Sequence, residues 1–132
     1  MIRVVLVDDH PVVRSGLAGL LGGESDIEVV GEADDGAAGV ALATELRPDL
    51  VLMDLRMPGM DGASATAAIT SAGTSRVLVL TTYDTDADIL RAVEAGATGY
   101  LLKDTPREQL VDAVRAAARG ETVLAPPIAA KL

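Results

Sequence analysis

Five short apolar runs recur along the chain: "IRVVLV" at 2–7, "IEVVGE" at 27–32, "DLVLM" at 49–53, "RVLVLT" at 76–81 and "TGYLLK" at 98–103. Their length and β-branched content predict buried strands. The stretches between and after them, at 11–22, 36–47, 61–72, 86–95 and 106–119, read as helices. The first carries Val13, Leu17, Leu20 and Leu21 on one face, and the last carries Leu110, Val111, Val114 and Ala118. Strands that alternate with helices require a parallel sheet covered on both faces. Right-handed crossovers leave few topologies, and the commonest for five strands is the doubly wound, flavodoxin-like order 2-1-3-4-5. The expected fold is therefore α/β, a five-stranded parallel sheet. Strands 1 and 3 are neighbours at its switch point, and ligands of such sheets bind at the carboxyl ends of the strands.

Local chemistry marks the boundaries. Thr105-Pro106-Arg107-Glu108 reads as a capping box with Pro at the first helical position. Gly96 and Gly120 stand where helix C-terminal caps belong, and Pro48 closes the second helix. At 132 residues the chain suffices for one domain with a core. With 2% aromatics and no Phe or Trp, that core is aliphatic. The absence of cysteine excludes disulfides, thiolate metal sites and a cysteine nucleophile. The first apolar run is too short for a signal-peptide core, and nothing approaches a membrane span, so a soluble cytoplasmic protein is expected. A net charge of −9 with no Lys/Arg cluster argues against nucleic-acid binding by this chain alone.

The strand ends carry the polar chemistry. Strand 1 runs into Asp8-Asp9, strand 3 into Asp54, strand 4 into Thr81 and strand 5 into Lys103. Neighbouring strands lie about 4.8 Å apart, so these groups share one edge of the sheet. Two carboxylates about 4 Å apart repel by about 4 kcal/mol at an effective dielectric near 20, and one lysine does not compensate three. A hard divalent cation resolves the imbalance. Mg²⁺ suits so sparse a set, because it keeps waters and takes one or two carboxylates with a phosphate oxygen. An aspartate can itself accept a phosphoryl group, whose oxygens then need a metal, a cation and a hydrogen-bond donor.

Taken together, "LVDDH" at 6–10, "LMDLRMPGMDG" at 52–62, "VLVLTTYD" at 77–84 and "GATGYLLKD" at 96–104 resemble the receiver domain of bacterial two-component response regulators, over about residues 1–119. The stretches "VDDHPVVRSGL" and "GYLLKD" are similar to the NarL/FixJ subfamily of transcriptional regulators. The resemblance implies roles position by position. Asp54 matches the phosphoacceptor, modified by a sensor histidine kinase. Asp8 and Asp9 match the acidic pair that holds Mg²⁺, with Asp54 and the backbone carbonyl of Arg56 completing the protein's metal ligands. Thr81 matches the switch hydroxyl, Lys103 the lysine that pairs with a phosphoryl oxygen, and Tyr100 the aromatic whose rotamer follows the switch. The implied function is a phosphorylation-dependent signalling switch and not an enzyme. It changes the surface of helix 4, strand 5 and helix 5 to control a transcriptional output domain. The implied partners are the kinase and, on phosphorylation, a second copy; DNA is reached only through a C-terminal domain.

Residues 120–132, "GETVLAPPIAAKL", read as the start of a linker toward a helix-turn-helix domain absent from this sequence, which favours a piece of a longer regulator over a stand-alone receiver. Asp104 stands where many receivers carry Pro, leaving both isomers of the Lys103–Asp104 bond open. His10 reads as a residue that begins helix 1 near the site but outside its chemistry. Asp34, Asp35, Asp84, Asp86 and Asp88 read as solvated loop and cap positions, and Tyr83 with Arg56 as neighbours that tune dephosphorylation. A haloacid dehalogenase-type phosphohydrolase would need a second acid two residues after its nucleophile, where this chain has Arg56. A flavin carrier on the same fold would need a Ser/Thr- or Gly-rich phosphate loop after strand 1, where this chain has Asp8-Asp9.

Overall fold

The computed structural model describes residues 1–82 and 85–131. Strands β1 (Ile2–Val7), β2 (Ile27–Ala33), β3 (Leu50–Met53), β4 (Arg76–Thr81) and β5 (Gly99–Leu102) alternate with helices α1 (Pro11–Gly22), α2 (Gly36–Leu46), α3 (Gly62–Ala72), α4 (Asp86–Glu94) and α5 (Arg107–Ala118). All pairings are parallel, and the core order is the expected 2-1-3-4-5. The sheet has a sixth strand that the sequence pattern did not predict. Residues 120–132, read above as the start of a linker, contribute β6 (Val123–Leu124) alongside β5 and a short helix α6 (Pro126–Ala129). Two residues are too few to show a strand period, which is why β6 left no signal.

The central strands are buried nearly throughout. Val4 to Val7, Leu50 to Met53 and Val77 to Leu80 form an aliphatic core, joined by Leu21, Ile69, Ile89, Val114 and Ile128 from the helices. Registered pairs such as Val7 with Met53 and Met53 with Val79 bring the carboxyl ends of β1, β3 and β4 to one level. The Asp54 amide extends the ladder by donating to the Val7 carbonyl at 3.0 Å, and the Lys103 amide does the same to Thr81 at 2.9 Å. Backbone hydrogen bonds thus fix the height of the polar residues that follow each strand.

Helix ends follow the chain's own signals with one exception. Asp35, Asp61 and Thr85 accept from the amides of Ala38, Ser64 and Asp88 as N-caps. Gly96 and Gly120 take positive φ after α4 and α5, as expected. The α2 terminus is closed by Arg47 in the left-handed region, directly before Pro48. The capping box expected at the start of α5 does not form. Pro106 is the N-cap, and the Thr105 hydroxyl donates back to the Leu102 carbonyl at 2.6 Å. That turn bond competes with the cap, a common choice for a hydroxyl beside a strand end. No described peptide bond is cis, so Lys103–Asp104 is trans. No helix among the described residues is long and apolar enough to cross a membrane.

Two glycines make the packing testable. A Cβ on Gly62 would collide with the backbone of Asp54 and Leu55, whereas one on Gly16 of α1 meets nothing within 4 Å. Gly62→Ala is expected to lower stability by about 1–3 kcal/mol through overpacking. Gly16→Ala should raise it by about 0.5–1 kcal/mol, because it relieves the entropic cost of a helical glycine. Urea denaturation of both variants measures the contrast, and equal effects would contradict the packing.

Candidate functional site

Asp8 and Asp54 leave adjacent strands, and both are buried; Asp54 is 3% exposed. Each carboxylate is held by a backbone amide as well as by a cation. Asp54 Oδ1 accepts from the Leu55 amide at 2.8 Å, and Asp8 Oδ1 accepts from the His10 amide at 2.8 Å. The second oxygen of each meets Lys103, whose Nζ stands 2.8 Å from Asp8 Oδ2 and 3.2 Å from Asp54 Oδ2. Asp9 is less buried, but its Oδ1 is shielded from solvent and has no hydrogen bond, with only the His10 ring nitrogen 3.1 Å away. Arg14 of α1 steadies the same loop by donating to the Asp8 carbonyl at 2.6 Å.

Burial raises the pKa of the Asp54 carboxyl above the ordinary carboxylate value; the Lys103 charge opposes this, and the Asp8 charge reinforces it. Lys103 moves the other way relative to neutrality. Burial alone would lower its pKa, but the hydrogen bond to Asp8 and the charges of Asp54 and Asp8 outweigh that and raise it. The ammonium is therefore secure, and its closer partner is Asp8. Asp54 is the carboxylate that remains under-compensated.

Most residues singled out from the sequence gather here. Ligand atoms of Asp8, Asp9, His10 and Asp54 all lie within 4.8 Å of one another. The carboxylate oxygens suit a hard cation, and the orphaned Asp9 Oδ1 is the atom such a cation would satisfy. Residues and group fit. Thr81 ends β4, fully buried, and Tyr100 on β5 is 1% exposed, already inside the protein. Asp104 and Arg56 are exposed. Tyr83 and Asp84 lie outside the described residues.

Three placements were not foreseen. The His10 ring, although 62% exposed, has Nδ1 3.1 Å from both Asp8 Oδ1 and Asp9 Oδ1 and 3.9 Å from Asp54 Oδ2. Its position directly after the acidic pair, at the N-cap of α1, turns the ring back over the cluster. Asp88 is not a solvated cap position: its side chain is largely covered, and its Oδ2 pairs with Arg56 at 2.8 Å while also accepting from Thr85. Arg91 pairs with Asp61 at 2.7 Å. These two ion pairs fasten α4 to the loop between Asp54 and α3.

The raised Asp54 pKa sets a pH dependence. The folded state holds this proton more readily than the unfolded chain does. The resulting stability is complete below the ordinary pKa of 3.8 and is lost as pH rises through the elevated folded value. Asp54→Asn, neutral throughout, is thus expected to be more stable than the wild type at neutral pH, with the difference closing in acid. Urea melts in EDTA at several pH values test this. A variant no more stable than the wild type at neutral pH would contradict the burial penalty.

Comparison with known proteins agrees with this arrangement. The family model described as "Response regulator receiver domain" matches residues 4–115. The transcriptional regulatory protein LiaR of Bacillus subtilis is 49% identical over 133 residues, which cover 100% of this chain and 63% of LiaR. The chain thus spans less than two thirds of that relative's length. Among solved structures, the signal receiver domain of NarL from Mycobacterium tuberculosis superposes with a TM-score of 0.87 at 45% identity, covering 91% of this chain and 98% of that one. The response regulator ChrA of a heme-sensing two-component system gives 0.85 at 54% identity, over 98% of this chain and 63% of ChrA. With the family model spanning nearly the whole sheet and relatives of this identity along the full sequence, the chain belongs to the response regulator receiver domain family.

Proposed function

We propose that the chain is a cytoplasmic, phosphorylation-dependent switch that takes a phosphoryl group on Asp54 from a sensor histidine kinase, and that it is not an enzyme with a turnover of its own. The observation that carries this reading is the buried, under-compensated Asp54 carboxylate beside Asp8, Asp9 and Lys103 at the β1/β3 switch point. In the transfer, an Asp54 oxygen attacks the phosphorus of a kinase phosphohistidine. The O–P bond forms as the P–N bond breaks, and the imidazole nitrogen leaves with its electron pair. Asp8, Asp9 and Asp54, with the carbonyl of Arg56, would hold Mg²⁺, which supplies charge neutralisation for the phosphoryl oxygens. The Lys103 ammonium, now 3.2 Å from Asp54, shifts to a phosphoryl oxygen, and the Thr81 hydroxyl donates to another.

Phosphorylation adds about two negative charges where compensation is already short. To convert a mostly inactive population into a mostly active one, it must favour the active state by about 5 kcal/mol. A few hydrogen bonds to charged groups, at about 1.5–3 kcal/mol each, suffice. Tyr100 is already buried before any modification, so Thr81 drawn toward the phosphoryl group would secure that position rather than create it. The outcome is a face of α4, β5 and α5 biased toward one of its two arrangements. That face serves a homodimer or the remainder of a longer regulator, through which DNA is reached; LiaR is named as a transcriptional regulatory protein.

Acetyl phosphate with Mg²⁺ should label the wild type once per chain, and peptide mapping should place the label at Asp54. Asp54→Asn should take up none. Asp9→Ala should lose Mg²⁺-dependent labelling while keeping the fold. A variant lacking Asp54 that still labels at the wild-type rate would overturn the assignment. Thr81→Ala should still be labelled, yet fail to shift the amide resonances of residues 86–104 when beryllofluoride binds. Equal shifts in Thr81→Ala and wild type would remove the hydroxyl from the switch.

A further inference from the structure

After α5 the chain turns at Gly120, φ +85, and returns along the open edge of β5. Gly99 pairs with Val123 and Tyr100 with Leu124. The Val123 amide donates to the Thr98 carbonyl at 3.4 Å, and the Ala125 amide donates to the Tyr100 carbonyl at 3.1 Å. Helix α6 then places Ile128 in the core at 0% exposure, and Lys131 Nζ reaches Asp86 Oδ1, at the first residue of α4, at 3.3 Å. The opposing strand is shaped for this pairing, since a Cβ on Gly99 would come within 2.5 Å of the Val123 carbonyl oxygen. A tail that merely passed the domain would have no fully buried isoleucine and no glycine reserved for its approach.

The returning segment touches both elements on which the proposed switch relies. Its Ala125 amide donates to the Tyr100 backbone carbonyl, and its Lys131 pairs with Asp86 of α4. Tyr100 and Leu124 line one groove of about 310 Å³ against Ala92 and Val93 of α4. The burial of Tyr100 in the unmodified chain therefore coincides with a docked segment at its side.

We propose that Val123–Lys131 is a strap that holds Tyr100 in its buried position and is thereby coupled to the phosphoryl occupancy of Asp54. This rests on the switch reading given above. A phosphoryl group that draws Thr81 inward favours the buried Tyr100, and a docked strap favours the same position. Two groups that stabilise one state raise each other's affinity, and the coupling is reciprocal. Docking of the strap thus prepares the chain for phosphorylation, and phosphorylation tightens the strap. The segment leaving α5 is the part of the chain that carries the state of Asp54 outward.

The test uses the full chain with Mg²⁺ and beryllofluoride, followed by amide hydrogen exchange and titration. On binding, exchange at the Val123 and Ala125 amides is expected to slow by about fivefold or more. Conversely, Leu124→Ala and Ile128→Ala, with the sheet resonances intact, should bind beryllofluoride about fivefold or more weakly than wild type. Should Ile128→Ala fail to fold, the half-buried Leu124 decides alone. Unchanged or faster strap exchange in the saturated wild type, or wild-type affinity in a folded strap variant, overturns the strap and leaves Asp54 as acceptor. Failure of beryllofluoride to perturb Leu55 and Lys103 in the wild type overturns the Asp54 reading and the coupling with it.

Discussion

One ammonium group stands between two buried carboxylates from neighbouring strands, and the rest of the site depends on that arrangement. Lys103 meets Asp8 at 2.8 Å and Asp54 at 3.2 Å. Like charges about 4 Å apart repel by about 4 kcal/mol at an effective dielectric near 20, so the pair relies on this one cation together with a backbone that fixes its position. The enforcement is visible in the ladder. Asp54 donates its amide to Val7, the residue before Asp8, and Lys103 donates its amide to Thr81. The aliphatic strands beneath are buried on both faces, and slipping one along by a residue would draw Asp8 or Asp54 into the apolar interior while breaking the ladder bonds that fix its height. A stiff apolar sheet holds a polar edge that would otherwise fly apart.

That edge was largely legible because the fold and the chemistry use different sequence periods. Short apolar runs between helical stretches fixed the strands, and the bounds of β1, α1 and β4 match their expected ranges. The residues that interrupt each run, Asp8, Asp54, Thr81 and Lys103, fell at the strand ends, and three of them meet through Lys103. What escaped depends on contacts between distant residues. β6 is two residues long and exists because β5 offers an edge and Gly99 offers clearance. The Thr105 hydroxyl had two local partners available, and sequence does not rank Leu102's carbonyl against a cap. Asp88 looked like a helix-start carboxylate, which it is, but Arg56 from another loop covers it. The His10 ring lies over the acidic pair because the turn into α1 directs it there, and a motif does not encode that direction.

The ion pairs around α4 give the proposed charge change at Asp54 a physical route to a surface. Arg56–Asp88 and Arg91–Asp61 each involve exposed arginines, and such pairs contribute little to stability singly. Their importance is positional. Both join α4 to the loop that begins at Asp54, so the helix and that loop are tethered to each other. At the other side, Lys131 ties the first residue of α4 to the returning chain, and Tyr100 shares a groove with α4 and Leu124. Helix α4 is therefore held from the acceptor loop and from the strap at once, by contacts that are individually weak. Weak contacts on both sides of one helix suit a two-state element, because a few charge-assisted hydrogen bonds at Asp54 exceed any one of them. A helix buried by a large apolar face on both sides would not respond to so local a change. Here Leu90 and Val93 of α4 face outward while Ile89 and Ala92 face the core, leaving the helix one apolar anchor and a set of polar tethers.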